Sequence, residues 1–200
     1  MTRIEKILHS AIEEKKKGCD TMKLLFFSDS HGRFHLPDTE VDALFLLGDI
    51  DYYELRHIDK EINCPKFGVL GNHDGFDYFH GTSIVNLHEQ LVSFQEITLA
   101  GFQGCPVYKR NKSFGQHTEE EVYSFTATLP PVDIFISHAN PQLNPSVDNE
   151  NPHRGFLSFT EYIETKQPKI FAHGHLHESD VVSIGNTSLL SVYPHTLFTY

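Results

Sequence analysis

Seven residues able to coordinate a metal cation arrive in five short blocks of this 200-residue chain: Asp29 with His31, Asp49, Asn72, His138, and His175 with His177. All are hard or borderline nitrogen and oxygen donors, and no cysteine stands among them. Such a set suits manganese, iron, zinc, nickel or magnesium, and it can hold two ions if one carboxylate bridges them. Each block follows an apolar run of strand character: LLFF precedes Ser28-Asp29-Ser30-His31, ALFLL precedes Gly48-Asp49, and FGVL precedes Gly71-Asn72-His73-Asp74. IFI likewise leads into Ser137-His138, and IFA into His173-Gly174-His175-Leu176-His177. Ligands of open α/β sheets bind beyond the carboxyl ends of the strands, so a donor at the end of each run has a geometric reason.

The elements that must position these donors follow from periodicity. Strands are expected over 24–28, 43–47, 66–70, 132–137 and 170–172. Helices are expected over 52–62, over 118–128, where Thr118 and Glu121 have capping-box spacing, and over 156–166. The stretch 83–103 is β-rich without a helical period and reads as paired strands. Gly185-Asn186 sits between two β runs as a hairpin turn. Near the start, Ile4, Ile7, Leu8, Ala11 and Ile12 recur at helical spacing, which predicts an amphipathic helix over 4–17. Strands alternating with helices, plus β-only segments, imply an α/β sandwich with mixed sheets.

Composition bounds the answer. Two hundred residues, 39% hydrophobic, suit one globular unit with a substantial core. The division expected is an N-terminal helical extension over 1–21 and a domain over 22–200. The longest apolar runs fall far short of the ~18 residues of a membrane span. Arg3, Glu5 and Lys6 interrupt any secretory signal, so no membrane association and a cytoplasmic location are expected. Cys19, Cys64 and Cys105 are odd in number and widely spaced, which argues against a disulfide framework and against a structural zinc cage. A formal net charge of -11 disfavours coating duplex nucleic acid, which needs Lys and Arg to displace counterions. A small anionic substrate stays compatible, because bound cations reverse the local potential.

In order, DSH, GD, GNHD, SHA and GHLH resemble the five signature blocks of the calcineurin-like metallophosphoesterase superfamily, from about Met22 to the C-terminal hairpin. Size and spacing look closest to the compact bacterial, archaeal and phage phosphodiesterases. The resemblance implies a four-layer α/β/β/α sandwich with two mixed sheets. It also implies two divalent metal ions, manganese first, with nickel, iron, zinc and magnesium as alternatives. Carried over by position, Asp29, His31 and His177 would hold one ion and Asn72, His138 and His175 the other, with Asp49 bridging them alongside a water or hydroxide. His73 matches the family's catalytic histidine, and Asp74 would orient its ring. One departure stands out: the second block runs GDIDYY, without the residue that many members place beyond the bridging aspartate, and Arg56 is the candidate to compensate.

Other residues carry weaker signals. His153 and Arg154 follow a long polar loop and, with Arg33 and Arg56, are the candidate substrate contacts. Asp51 reads as a helix-start aspartate, His173 as a packing residue on the last strand before its loop, and His9, His35, His57, His80, His88, His117 and His195 as surface or satisfied core residues. The expected activity is metal-dependent hydrolysis of a small phosphodiester, a nucleotide or cyclic nucleotide among the candidates. The alternatives are a phosphomonoesterase, a single-strand nuclease, or a non-catalytic protein-binding scaffold of the same fold. An oligomer formed through the N-terminal helix is a further expectation.

Overall fold

Alternation of apolar residues along the strands decides the layering. The structure, a computed structural model, describes residues 21–33, 37, 39–108, 113–144, 146–148 and 150–200; the helix expected over 4–17 lies outside the described residues. In chain order the elements are β1 (Lys23–Phe27), β2 (Ala43–Leu46), α1 (Tyr52–Glu61), β3 (Lys66–Gly68), β4 (Val85–Asn86), β5 (Gln90–Phe94) and β6 (Ile97–Phe102). Then follow β7 (Cys105–Pro106), β8 (Gln116–His117), α2 (Glu119–Thr126), β9 (Ile134–Ser137), α3 (Leu157–Lys166), β10 (Ile170–His173), β11 (Asp180–Ile184), β12 (Thr187–Ser191) and β13 (His195–Thr199).

Two large mixed sheets form, in the orders β13-β1-β2-β3-β4 and β11-β12-β10-β9-β6-β5. Successive strand side chains point to opposite faces. Leu24 and Phe26 of β1 therefore enter the core between the sheets with Phe45, Leu99, Ile134 and Ala172. Leu25 and Phe27 face the other way, packing with Leu55 and Ile58 of α1. On the outer face of the second sheet, Phe135 and Phe171 meet Val122 of α2 and Phe159 of α3. The result is the expected α/β/β/α order. Each fully buried Leu or Phe contributes about 1.5–3 kcal/mol, so the two sheets are a firm base for the loops above them.

Helix ends are closed by specific groups. Thr118 and Glu121 form the expected capping box on α2, and the Asp51 carboxylate accepts from the Tyr53 N–H at 2.9 Å, capping α1. The start of α3 has no side-chain cap of its own. Glu119 of α2 supplies it, accepting from the Ser158 N–H at 2.6 Å across a separation of 39 residues. The same contact places a negative charge at a helix N-terminus, where the dipole favours it.

The five strands that precede the donor blocks are parallel within their sheets: β1, β2 and β3 in one, β9 and β10 in the other. All five donor blocks thus emerge from carboxyl ends. Backbone hydrogen bonds continue past the strands there: Asp29 N–H to Gly48 O at 3.1 Å and Gly174 N–H to His138 O at 3.0 Å join neighbouring loops of one sheet, and Gly104 N–H to Leu70 O at 2.8 Å ties one sheet to the other.

Candidate metal centre

The turns after β1, β2 and β10 bend sharply at their donors. Asp29, His31, Asp49, His175 and His177 all have φ between 44° and 68°, the left-handed region that costs a non-glycine residue roughly 1–2 kcal/mol. Five such residues survive only where the surroundings over-determine them, a pattern that clusters at functional sites. Two glycines let the loops touch. A Cβ on Gly71 would lie 2.0 Å from Asp49 Oδ1, and one on Gly174 would lie 1.8 Å from Ser28 Oγ and 2.4 Å from Asp29 Oδ2. No side chain larger than hydrogen fits either place.

Two groups of donors result: Asp29 with His31 and His177, and Asp29 with Asp49 and His138. In the first, His177 Nε2 lies 3.3 Å from Asp29 Oδ1 and 3.4 Å from His31 Nε2. In the second, His138 Nε2 lies 3.5 Å from Asp49 Oδ2 and 3.1 Å from Asn72 Oδ1. Donors each about 2.1 Å from one cation at tetrahedral angles stand about 3.4 Å apart, so both groups are spaced to share an ion. Asp29 Oδ1 is buried and has no hydrogen-bond partner. A buried carboxylate oxygen left this way is costly without a cation, and the donor set therefore fits the metals that the sequence implies.

The electrostatics point the same way. Burial raises the Asp49 carboxyl's pKa, yet the neighbouring His138 more than offsets this and holds it well below the usual carboxylate range. Burial likewise lowers that of His138, but the Asp49 carboxylate reverses the sign and lifts it to about 9. A site that binds a proton this firmly between two aspartates is one that favours positive charge. The His138 Nδ1–H donates to the Leu47 carbonyl at 2.8 Å, which leaves Nε2 aimed at Asp49 and Asn72 as the ligating atom when the ring is neutral. For His175, burial pushes the pKa down to about 3, and its Nε2 lies 3.0 Å from the Pro152 carbonyl. It stands beside the second group, its ring centroid 4.8 Å from that of His138.

Three expected roles meet a different geometry. Asp29 is common to both groups and Asp49 belongs to the second alone, because the β1 turn projects between the loops of the two sheets. Asp74 Oδ2 accepts from the Asp49 N–H at 2.9 Å and the Gly71 N–H at 2.7 Å, bracing two loops instead of orienting the His73 ring; burial raises its pKa to about 6. Arg56 donates to the Gly81 carbonyl at 2.8 Å and to the Tyr52 hydroxyl at 3.1 Å, so it clamps α1 to a neighbouring turn in place of a phosphate contact.

The remaining candidates fall where the loops put them. His73 is exposed, its N–H donates to Asp49 Oδ1 at 2.9 Å, and its ring centroid is 6.0 Å from that of His31. The His153 ring packs edge-on against His175 at 4.7 Å. With Arg154, Asn140 and the buried His173, His153 lines a cavity of about 200 Å³. Arg33 is exposed just beyond the first donor block. A larger cleft of about 340 Å³ lies between α2 and α3 and contains none of the candidate ligands. Two contributors escaped the sequence reading: Tyr193, stacked on the His177 ring at 5.1 Å and 6°, and Glu54, which accepts from the Ser30 hydroxyl. An aromatic before a proline reads as a turn and a glutamate in a first helical turn reads as a dipole partner, so neither carried a local signal.

Comparison with known proteins agrees with this architecture. The calcineurin-like phosphoesterase superfamily domain matches residues 22–197, and the chain belongs to that family, whose members are metal-dependent. The fold is similar to that of the protein TT1561 of Thermus thermophilus, with a TM-score of 0.62 and 15% identity over 90% of this chain and 98% of that one. It is also similar to the phosphopantetheinyl hydrolase PptH of Mycobacterium tuberculosis, with a TM-score of 0.62 and 14% identity over 86% of this chain and 90% of that one. No curated protein sequence matches the chain. Among the described residues no helix is long and apolar enough to cross a membrane.

Proposed function

We propose that this protein hydrolyses a small phosphodiester with two divalent cations, manganese first. The observation that carries the reading is the convergence of left-handed Asp and His donors from parallel-strand ends around Asp29 Oδ1, which is buried and accepts no hydrogen bond. Asp29, His31 and His177 would hold one cation and Asn72, His138 and His175 the other, with Asp49 and Asp29 as the carboxylates placed to serve both. Divalent cations there supply an activated water for in-line attack and neutralise the phosphoryl oxygens.

The chain's own residues do the rest. Asp74 fixes the Asp49 and Asn72 loops against each other, and Asp29 ties the β1 loop to the β10 loop through the His175 N–H at 2.8 Å. His73 lies beside the donors without belonging to either group, held through its backbone by Asp49. Its ring delivers a proton to the departing oxygen, the general-acid role that a positioned histidine most often takes. The phosphopantetheinyl hydrolase shares this fold, and its name keeps other phosphoester substrates in the test panel.

His73→Ala tests the assignment. The variant should retain both metals by elemental analysis and lose about 100- to 10,000-fold in kcat on alkyl or nucleoside diesters. The loss should be smaller on bis(p-nitrophenyl) phosphate, whose leaving group needs no proton. Full turnover of an alkyl diester by metal-loaded His73→Ala overturns the role. A metal-loaded wild type inert toward a broad phosphoester panel overturns the enzyme reading and favours the scaffold.

A further inference from the structure

Beside the GNHD turn two phenylalanines face solvent. Phe76 is 80% and Phe114 45% exposed, with ring centroids 6.4 Å apart and planes at 75°. A single exposed aromatic needs no explanation. A pair in edge contact, carried on two separate segments that meet at the rim of a candidate active site, calls for one.

The segments are braced. Phe76 sits three residues beyond His73 in a run of turns closed by Tyr78 N–H to Gly75 O at 3.3 Å and His80 N–H to Asp77 O at 3.1 Å. Phe114 precedes Gly115, whose carbonyl accepts from the Cys105 N–H at 2.8 Å. A Cβ on Gly115 would lie 2.9 Å from Asn72 Cα and 3.0 Å from the Gly71 carbonyl oxygen. The Phe114 turn is therefore seated directly on the loop that carries Asn72 and His73. The backbone holds these rings out.

We infer that Phe76 and Phe114 form a stacking platform for the nucleobase of the alcohol that leaves, which makes the substrate a nucleoside-bearing phosphodiester. The inference rests on the proposed hydrolysis and on the placement of His73. The group receiving the His73 proton must lie on the His73 side of the phosphorus, and aromatic side chains stand next outward on that loop. A net charge of -11 argues for a mononuclear ester over a polyanionic strand. In the reaction, water oxygen bonds to phosphorus, the bond from phosphorus to the nucleoside oxygen breaks, and the nucleoside departs with a proton, leaving the other ester as a monoester.

The test compares adenosine 5′-(methyl phosphate) with ribose 5-(methyl phosphate), which differ only in the base. Wild type should favour the adenosine ester in kcat/KM by about 5- to 150-fold, the range that base stacking on an aromatic side chain supports. Its products should be adenosine and methyl phosphate. Phe76→Ala and Phe114→Ala should bring the preference towards unity, with metal content, thermal unfolding and turnover of the ribose ester unchanged, while Phe76→Tyr should keep it. An unchanged preference in both alanine variants, no preference in wild type, or AMP and methanol as the main products would each overturn the inference. Binding of adenosine alone, followed by NMR, gives a second readout that needs no turnover. If wild type cleaves neither ester, the hydrolysis reading fails by itself. The platform then stands if Phe76→Ala abolishes adenosine binding, and falls if adenosine does not bind or binds the variant equally.

Discussion

Gly174→Ala should unlatch the two sheets at the metal centre. Gly174 has no left-handed strain to relieve, so the substitution is a test of close approach alone: its new methyl would begin 1.8 Å from Ser28 Oγ and 2.4 Å from Asp29 Oδ2. The β1 and β10 loops must part. Parting them breaks the hydrogen bond from the His175 N–H to Asp29 Oδ2 at 2.8 Å, and a bond to a charged acceptor is worth about 1.5–3 kcal/mol. Forcing a methyl group into a packed site adds about 1–3 kcal/mol. A loss of about 2.5–6 kcal/mol in the metal-free protein is expected from the two effects together. Gly81→Ala is the control, since φ there is +69° but the nearest atoms, on the flexible Arg56 side chain, are 3.6 Å away. It should lose only the left-handed penalty of about 1–2 kcal/mol. Urea unfolding of the metal-free proteins by circular dichroism measures both, and elemental analysis should show Gly174→Ala depleted of metal. An unfolding midpoint for Gly174→Ala at or above that of Gly81→Ala, with full metal content, would refute the close-contact argument.

The left-handed donors make a second, opposite prediction: His31→Gly, at an exposed position with φ 44°, should leave the metal-free protein as stable as wild type or about 1 kcal/mol more stable, while metal content falls; a clear loss of stability in metal-free His31→Gly would show that the turn is not strained. Burial, with the neighbouring His117 adding to it, holds the His88 pKa down at about 4. The unfolded chain therefore takes up a proton near pH ~6.5 that the folded protein accepts only near ~4, and stability is lost as pH falls through that window. His88→Leu should reduce the proton uptake on unfolding near pH ~5 by about one, measured as the slope of unfolding free energy against pH; an unchanged slope would mean that His88 titrates normally in the fold.

Much of the site was legible because the chemistry is local to each block. An apolar run followed by Asp, Asn or His specifies a strand and what stands at its end, and the Thr118–Glu121 spacing specified the α2 cap. The mixed sheets and the α/β/β/α order follow from the alternation of faces along a strand, since Leu25 and Leu24 must face different layers whatever the partners are. Tertiary structure decided what depends on one loop meeting another. Asp29 became common to both donor groups because the β1 turn reaches between the sheets; Asp74 became a brace because N–H groups from two loops converge on it. Arg56 was lost to Gly81, and Phe76 gained Phe114 as a neighbour, because Gly115 admits the backbone of one segment onto that of another. The Asp74–Asp49 and Arg56–Gly81 contacts each join residues 25 positions apart, where no local pattern encodes which side chain will be within reach, and only the parallel pairing of β2 with β3 and the packing of α1 beside them bring such residues together.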